Sequence, residues 1–259
     1  MNYQDLIVER NDTHIVSITL NRPDQLNTFT SLMAAELHQA LISLDSDPNI
    51  RVIVIKGAGK AFCAGIDINE LENKTALEYR AWIEHMEKPL IAISQLDTPV
   101  IAMVQGVAAA NGMGLAVAAD LTIAAENAKM GLTAINVGLN CVGPVIPVAR
   151  VVGRKKALEL LLYGDLIKAP EALALGLINK TAPKEELEAK TYEWAKTLAQ
   201  KSPVAIQIAK KGFYGCEDMG YLNQFNFMND AFARLCTTDD AKEGVNAFLE
   251  KRNPDWKGC

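Results

Sequence analysis

Two short segments carry the residues best placed to do chemistry. One is Lys60-Ala61-Phe62-Cys63-Ala64-Gly65-Ile66-Asp67-Ile68. The other is Gln105-Gly106-Val107-Ala108-Ala109-Ala110-Asn111-Gly112-Met113-Gly114. Each is a turn of small residues that follows an apolar run and leads toward a helix. Small side chains let backbone N–H groups approach a ligand closely. Two such turns converging on one point can form an oxyanion hole, in which fixed donors hold the charge that develops on a carbonyl oxygen. Neither segment supplies the acid that usually works beside one.

The elements that must position these turns follow from periodicity. Leu6 to Arg10 and His14 to Leu20 alternate around Asn11-Asp12 and read as a hairpin. Thr30-Ser31 opens a helix with Leu32, Met33, Leu37, Leu41 and Leu44 on one face. Arg51 to Lys56, Pro99 to Val104 and Leu121 to Ala125 read as short buried strands. A helix over roughly Thr75 to Leu96 and another over Gly112 to Ala119 alternate with them. Near-continuous apolar strands alternating with helices predict an α/β fold with parallel pairing. From Arg154 onward helical periodicity dominates, with Lys155 to Tyr163 and Pro170 to Leu175 as clear cases. The expected division is a core over 1–201 and a helical region over 202–259. The aromatic residues of that helical region (Phe213, Tyr214, Phe225, Phe227, Phe232) need a partner surface.

Composition sets the outer bounds. The 259 residues are 49% hydrophobic and 22% charged, which allows a large core. A net charge of −5 with no basic block disfavours nucleic acid as a partner. The five cysteines (Cys63, Cys141, Cys216, Cys236, Cys259) show no C-x-x-C spacing, and there are three histidines, so neither a zinc site nor a disulfide framework is expected. No signal peptide and no apolar stretch of spanning length are read, which makes a reducing cytoplasm the default compartment and a membrane an unexpected partner. Gly57-Ala58-Gly59 lacks the third glycine and distant acid of a dinucleotide turn, and a Rossmann reading is rejected.

Several motifs in order complete the picture: Leu20-Asn21-Arg22-Pro23 with Leu26-Asn27, Phe62-Cys63-Ala64-Gly65-Ile66-Asp67, Gly106-Val107-Ala108-Ala109 to Asp120, Gly153-Arg154-Lys155-Lys156-Ala157 with Ala172 to Ile178, and Phe248-Leu249-Glu250-Lys251-Arg252. With these, the chain resembles the crotonase (enoyl-CoA hydratase/isomerase) superfamily over essentially its full length. The resemblance implies a spiral of ββα turns with two roughly perpendicular sheets. It also implies a C-terminal helical region that assembles homotrimers, commonly paired into hexamers. The implied ligand is an acyl group carried as a coenzyme A thioester, with no cofactor beyond that coenzyme A moiety and no metal, flavin or nicotinamide.

Carried over position by position, the resemblance assigns the oxyanion donors to the backbone N–H groups of Ala64 and Asn111. Gly112 then begins a helix whose positive end faces the same oxygen. Gln25, Leu26, Ala64, Gly65, Ile66, Asp67 and Ile68 match the segments lining the family's coenzyme A groove. Gly112 and Ala134 adjoin the acyl group, whose pocket wall is expected from the helix near Glu70 to Met86. Lys251 is a phosphate contact or solvated surface. Asp67 is read as structuring its own turn or capping the next helix.

The two glutamates of the family's hydratases are missing: their positions are occupied by Gly114 and Ala134. Across Gly106 to Pro144 the only acids are Asp120 and Glu126, both too far along the chain to reach the oxyanion turn easily. Thr133, Asn136, Asn140, Cys141 and the Asn111 side chain are what remains polar nearby. Cys141 falls where the family's 4-chlorobenzoyl-CoA dehalogenases, which also carry glycine at the position of Gly114, place a nucleophilic aspartate. A cysteine there can attack only as a thiolate; otherwise it is a small buried hydrophobe. His85 is either a base folding over the pocket or a surface helix residue. Three functions stay open: enolate chemistry of the hydratase/isomerase type, thioester hydrolysis or dehalogenase-like chemistry through Cys141, and acyl-CoA binding without turnover.

Overall fold

A computed structural model describes residues 3–71 and 73–259. The alternating N-terminal segments form β1 (Leu6–Arg10) and β2 (Ile15–Leu20), paired antiparallel with Leu6 opposite Leu20. Helix α1 (Ser31–Asp45) follows, capped by the Thr30 hydroxyl, which accepts from the Met33 N–H. Then come β3 (Val52–Gly57), α2 (Ala76–Gln95), β4 (Val100–Val104), β5 (Val107–Ala109) and α3 (Asn111–Ala118). A reciprocal box between Thr75 and Glu78 fixes the start of α2. Strands β6 (Leu121–Ala125) and β7 (Lys129–Gly131) precede α4 (Val145–Tyr163). Next are β8 (Ile167–Lys168), α5 (Ala169–Ala174), β9 (Lys180–Ala182), α6 (Leu187–Ala199), α7 (Pro203–Cys216), α8 (Tyr221–Cys236) and α9 (Asp239–Glu250).

The larger sheet has the order β1-β2-β3-β4-β6-β9, with every pair after the first parallel. The smaller sheet has the order β5-β7-β8. Its strand β5 leaves β4 after only Gln105-Gly106, so this turn of the chain contributes to both sheets. Gly106 makes that step at φ +63, and a Cβ there would lie 1.9 Å from the Lys60 carbonyl oxygen. The chain thus brings the 60–63 and 105–107 segments into backbone contact. Gln105 reinforces it, its Nε2 donating to the carbonyls of Gly57 and Ala61.

Two features depart from the sequence expectations. Strands β8 and β9 lie in a region that reads as helical; at two and three residues they are too short to show alternation. Helix α4 begins at Val145, ten residues before the expected Lys155, and Gly153 (φ +73) breaks it into two pieces. The C-terminal helices hold to the core through α7. There the buried Lys210 donates to Asp120 at 2.6 Å and to the Thr98 carbonyl at 3.0 Å, and the Tyr214 hydroxyl donates to Asp120 at 3.0 Å. Beyond it, α8 buries only Ala231 and leaves Tyr221, Leu222, Phe225 and Phe232 exposed, while α9 exposes Phe248 and Leu249. No helix among the described residues is long and apolar enough to cross a membrane.

Candidate active site

The segment 63–67 threads between two neighbours. On one side Cys63 bridges Ala108 of β5: its N–H donates to the Val107 carbonyl and its carbonyl accepts from Ala109. On the other side Ile66 bridges Phe29, where the Gly65 carbonyl accepts from the Phe29 N–H at 2.7 Å and the Asp67 N–H donates to the Phe29 carbonyl at 2.9 Å. All peptide bonds here are trans, so the C=O of one residue and the N–H of the next point in opposite directions. The Cys63 carbonyl faces β5; the Ala64 N–H therefore faces away and donates to the Leu26 carbonyl at 3.1 Å. The Gly65 carbonyl faces Phe29, so the Ile66 N–H faces the β5 and α3 side, where it has no acceptor among the described residues.

This corrects the expected assignment. The Ala64 amide is occupied and aimed away from α3, and the amide turned toward it belongs to Ile66, two residues later. Gly65 makes the reversal with φ +107, a conformation that L side chains rarely adopt.

The second turn ends at Ala110, which holds φ 48 and ψ −114. A non-glycine residue there is strained, and such strain persists only where its surroundings over-determine it. The Ala110 N–H donates to the Gly131 carbonyl at 2.8 Å, and its carbonyl accepts from Gly114 in the first turn of α3. The Asn111 N–H, in the same peptide plane as that carbonyl, therefore points out of the helix end, unpaired as helix-initial donors are. The two turns touch: a Cβ on Gly65 would lie 3.1 Å from Ala110 Cβ, and one on Gly112 would lie 2.1 Å from the Cys63 carbonyl oxygen. Asn111 is itself buried, 2% exposed, and its Nδ2 has no partner.

Asn27 supports this arrangement from below, a role the sequence motif did not disclose. Fully buried at φ 55, it donates from Nδ2 to the carbonyls of Ala58 (2.9 Å) and Ala61 (2.8 Å) and accepts at Oδ1 from the Arg22 N–H. Arg22 in turn pairs with Asp67 at 2.9 Å. Burial pushes the Asp67 carboxyl up, but Arg22 and the amide of Asn69 outweigh it and leave it below the usual carboxylate range. Asp67 also accepts from the Asn69 N–H and so caps the short helical turn Ile68–Glu70, the structural role expected of it. Gln25 ends the turn Pro23–Gln25, Leu26 follows in the left-handed region, and Ile68 is exposed.

Of the two positions that lack glutamate, the first is closed as well as neutral. A Cβ on Gly114 would lie 2.7 Å from Pro144 Cβ, 2.9 Å from its Cα and 3.0 Å from Leu90 Cδ2. Pro144 and Leu90 therefore fill the space that a longer residue at 114 needs. Ala134 lies in the helical turn Thr133–Val137. Cys141 lies against its backbone and is 3% exposed; burial pushes the thiol up, and the Ala134 contact offsets only part of this. A thiol buried and pushed up in this way is a poor nucleophile, which weighs against the nucleophile reading. His85 does not address it: its Nε2 donates to the Ser31 carbonyl at 2.9 Å. Asp120 is committed to Lys210, Tyr214 and the Val100 N–H. Lys251 ends α9 in the left-handed region, on a helix packed against α7 and α8. Among the described residues no group of three His, Cys, Asp or Glu side chains is placed to hold a metal.

A glycine-reversed turn and a short helix thus each present an unpaired amide on a two-sheet α/β fold. The sequence profile described as Enoyl-CoA hydratase/isomerase matches residues 10–259. The chain is 36% identical over 261 residues to a Mycobacterium tuberculosis protein named probable enoyl-CoA hydratase echA8, covering 99% of both chains. It is 34% identical over 246 residues to the human mitochondrial enoyl-CoA hydratase domain-containing protein 3, covering 93% of this chain and 80% of that one. A crystal structure of an enoyl-CoA hydratase from Mycobacterium smegmatis superposes with a TM-score of 0.95 at 33% identity, covering 98% and 99% of the two chains. The chain belongs to the enoyl-CoA hydratase/isomerase family and has its crotonase fold.

Proposed function

We propose that this protein binds an acyl-CoA thioester and polarises its carbonyl between the N–H groups of Ile66 and Asn111. The reading rests on one observation: two unpaired main-chain amides turned toward one another's side by trans-peptide geometry. Negative charge gathers on the thioester oxygen when the neighbouring carbon loses a proton, and donors held in place beforehand cost no reorganisation. The reaction type supported is proton transfer through an enolate, as in isomerisation of a double bond. Syn-hydration by two glutamates is not supported, because Gly114 and Ala134 carry no proton and Pro144 and Leu90 close the first position. Hydrolysis through Cys141 is disfavoured by its burial.

Gln25, Leu26, Gly65, Asp67 and Ile68 then belong to the wall of the coenzyme A groove, with Gly112 and Ala134 nearer the acyl group. The side-chain amide of Asn111, buried without a partner, adds a polar group beside the thioester. A homotrimer is the assembly that best accounts for the exposed aromatic residues of α8 and α9, and in it Lys251 can reach the coenzyme A phosphates of a neighbour. The test offers crotonyl-CoA, a 3-enoyl-CoA and a saturated acyl-CoA. Gain of conjugation from the 3-enoyl ester supports the proposal; loss of conjugation from crotonyl-CoA or release of free thiol replaces it with hydration or hydrolysis. Failure to bind any of the three at millimolar concentration removes the ligand class itself.

A further inference from the structure

Glu87, on α2, has a placement that the roles above leave unexplained. It is a half-buried carboxylate with no hydrogen bond or ion pair to any described residue. It lies hard against Gly143: a Cβ there would be 1.7 Å from Glu87 Oε1 and 2.3 Å from its Cδ. Only glycine at 143 admits the carboxylate. The next residue, Pro144, covers Gly114, and so does Leu90, one turn after Glu87 on α2.

The direction of α2 fixes what Glu87 faces. The segment leaving the C-terminal end of α2 lies beside the end of α3, where the Val100 N–H donates to Asp120 and Lys210 joins Asp120 to the Thr98 carbonyl. The two helices thus run in the same direction. Leu90 stands level with Gly114, so three residues back on α2 is level with three residues back on α3. Glu87 stands level with Asn111, whose amide is one of the two oxyanion donors. On its other side it borders a cavity of about 700 Å³ that runs past Leu90 and Val117 toward Asp120, Arg150 and Phe213.

We infer that Glu87, supplied by α2, is the catalytic carboxylate that takes the place of the two missing glutamates; this rests on the acyl-CoA reading above. Its carboxylate removes a proton from C2 of the bound acyl group. The C–H electron pair moves into the C1–C2 bond, and the charge settles on the thioester oxygen held by Ile66 and Asn111. The carboxylic acid so formed returns its proton to C2, which exchanges the hydrogen. In a 3-enoyl chain it returns the proton to C4, which moves the double bond into conjugation. No other reactant is consumed. Burial, with the nearby Glu84, pushes the Glu87 carboxyl above its ordinary value and makes it a stronger base than a solvated glutamate.

The test measures butyryl-CoA binding by calorimetry and C2 hydrogen–deuterium exchange by NMR in D2O. Both are applied to the wild type, Glu87→Gln and Gly143→Ala. The glutamine variant keeps the shape and removes only an unpaired charge, so folding is retained. Affinity within about threefold of wild type, with exchange about 100-fold or more slower in both variants, supports the assignment; general acid–base groups typically contribute about this much. Exchange unchanged in Glu87→Gln, or no exchange by a wild type that binds the ester, overturns Glu87 alone and leaves the binding proposal standing. A wild type that binds no coenzyme A ester overturns both.

Discussion

Gly65→Ala tests the oxyanion geometry at the residue that creates it. At φ +107 an alanine costs on the order of 1–3 kcal/mol. Its Cβ would also press on Ala110 Cβ at 3.1 Å, tighter than an ordinary contact. Relief comes most directly by rotating the 65–66 peptide plane, which swings the Ile66 N–H off the ligand and breaks the Phe29 bond to the Gly65 carbonyl. Loss of one oxyanion donor costs about 3 kcal/mol of transition-state stabilisation, a rate loss of about 100- to 1000-fold. Affinity for a saturated acyl-CoA should fall much less, about tenfold at most, because a hydrogen bond to a neutral carbonyl is worth only about 1 kcal/mol net. Conversion of a 3-enoyl-CoA, followed as conjugation absorbance at saturating substrate, reads the first quantity, and calorimetry the second. A folded Gly65→Ala protein that turns over within threefold of wild type refutes the reasoning, since the Ile66 amide would then carry no charge.

Four other outcomes are expected. Gly114→Glu restores a hydratase residue but not hydratase activity, because Pro144 and Leu90 fill its space; the overpacking lowers stability by about 1–3 kcal/mol in urea unfolding. Asn27→Ala orphans the carbonyls of Ala58 and Ala61 and the Arg22 N–H, at about 1–3 kcal/mol for each group left unsatisfied, so thermal melting should drop well below wild type. Cys141→Ala leaves every reaction on a coenzyme A ester within about threefold of wild type, and a large loss in thiol release would reinstate the nucleophile. Glu87→Gln should stabilise the fold at neutral pH. A carboxyl raised by burial destabilises the native state above its folded value and has no such effect below its unfolded value near 4.3. The gain in unfolding free energy should therefore grow as pH rises from about 4; a gain that is flat with pH would contradict the burial argument.

The alternation of Leu6–Arg10 with Ile15–Leu20, the Thr30 and Thr75 caps and the apolar runs at 52–57 and 100–104 made the layered fold readable, because each rests on local periodicity or a local side-chain bond. The two glycine-bearing turns were readable for the same reason. Which of three successive amides faces α3 was not, since one positive φ at Gly65 reverses the alternation and nothing in the letters Cys-Ala-Gly-Ile marks its angle. The glycine itself, between Ala64 and Ile66, was the available signal. Asn27 binds carbonyls 31 and 34 residues away, a partnership visible only once Gly57–Ala61 folds over it. Glu87 lies outside 106–144, and its approach to Gly143 exists only once α2 packs against α3. Strands β8 and β9 were hidden by brevity.

Infrared difference spectroscopy of a bound saturated acyl-CoA carrying 13C at the thioester carbonyl measures the proposed polarisation directly. Hydrogen bonds from Ile66 and Asn111 should lower the carbonyl stretching frequency below its value in water, and Gly65→Ala should return most of that shift. A bound ester whose carbonyl vibrates at the free frequency, or a shift indifferent to Gly65→Ala, would contradict the placement of the thioester oxygen between these two amides.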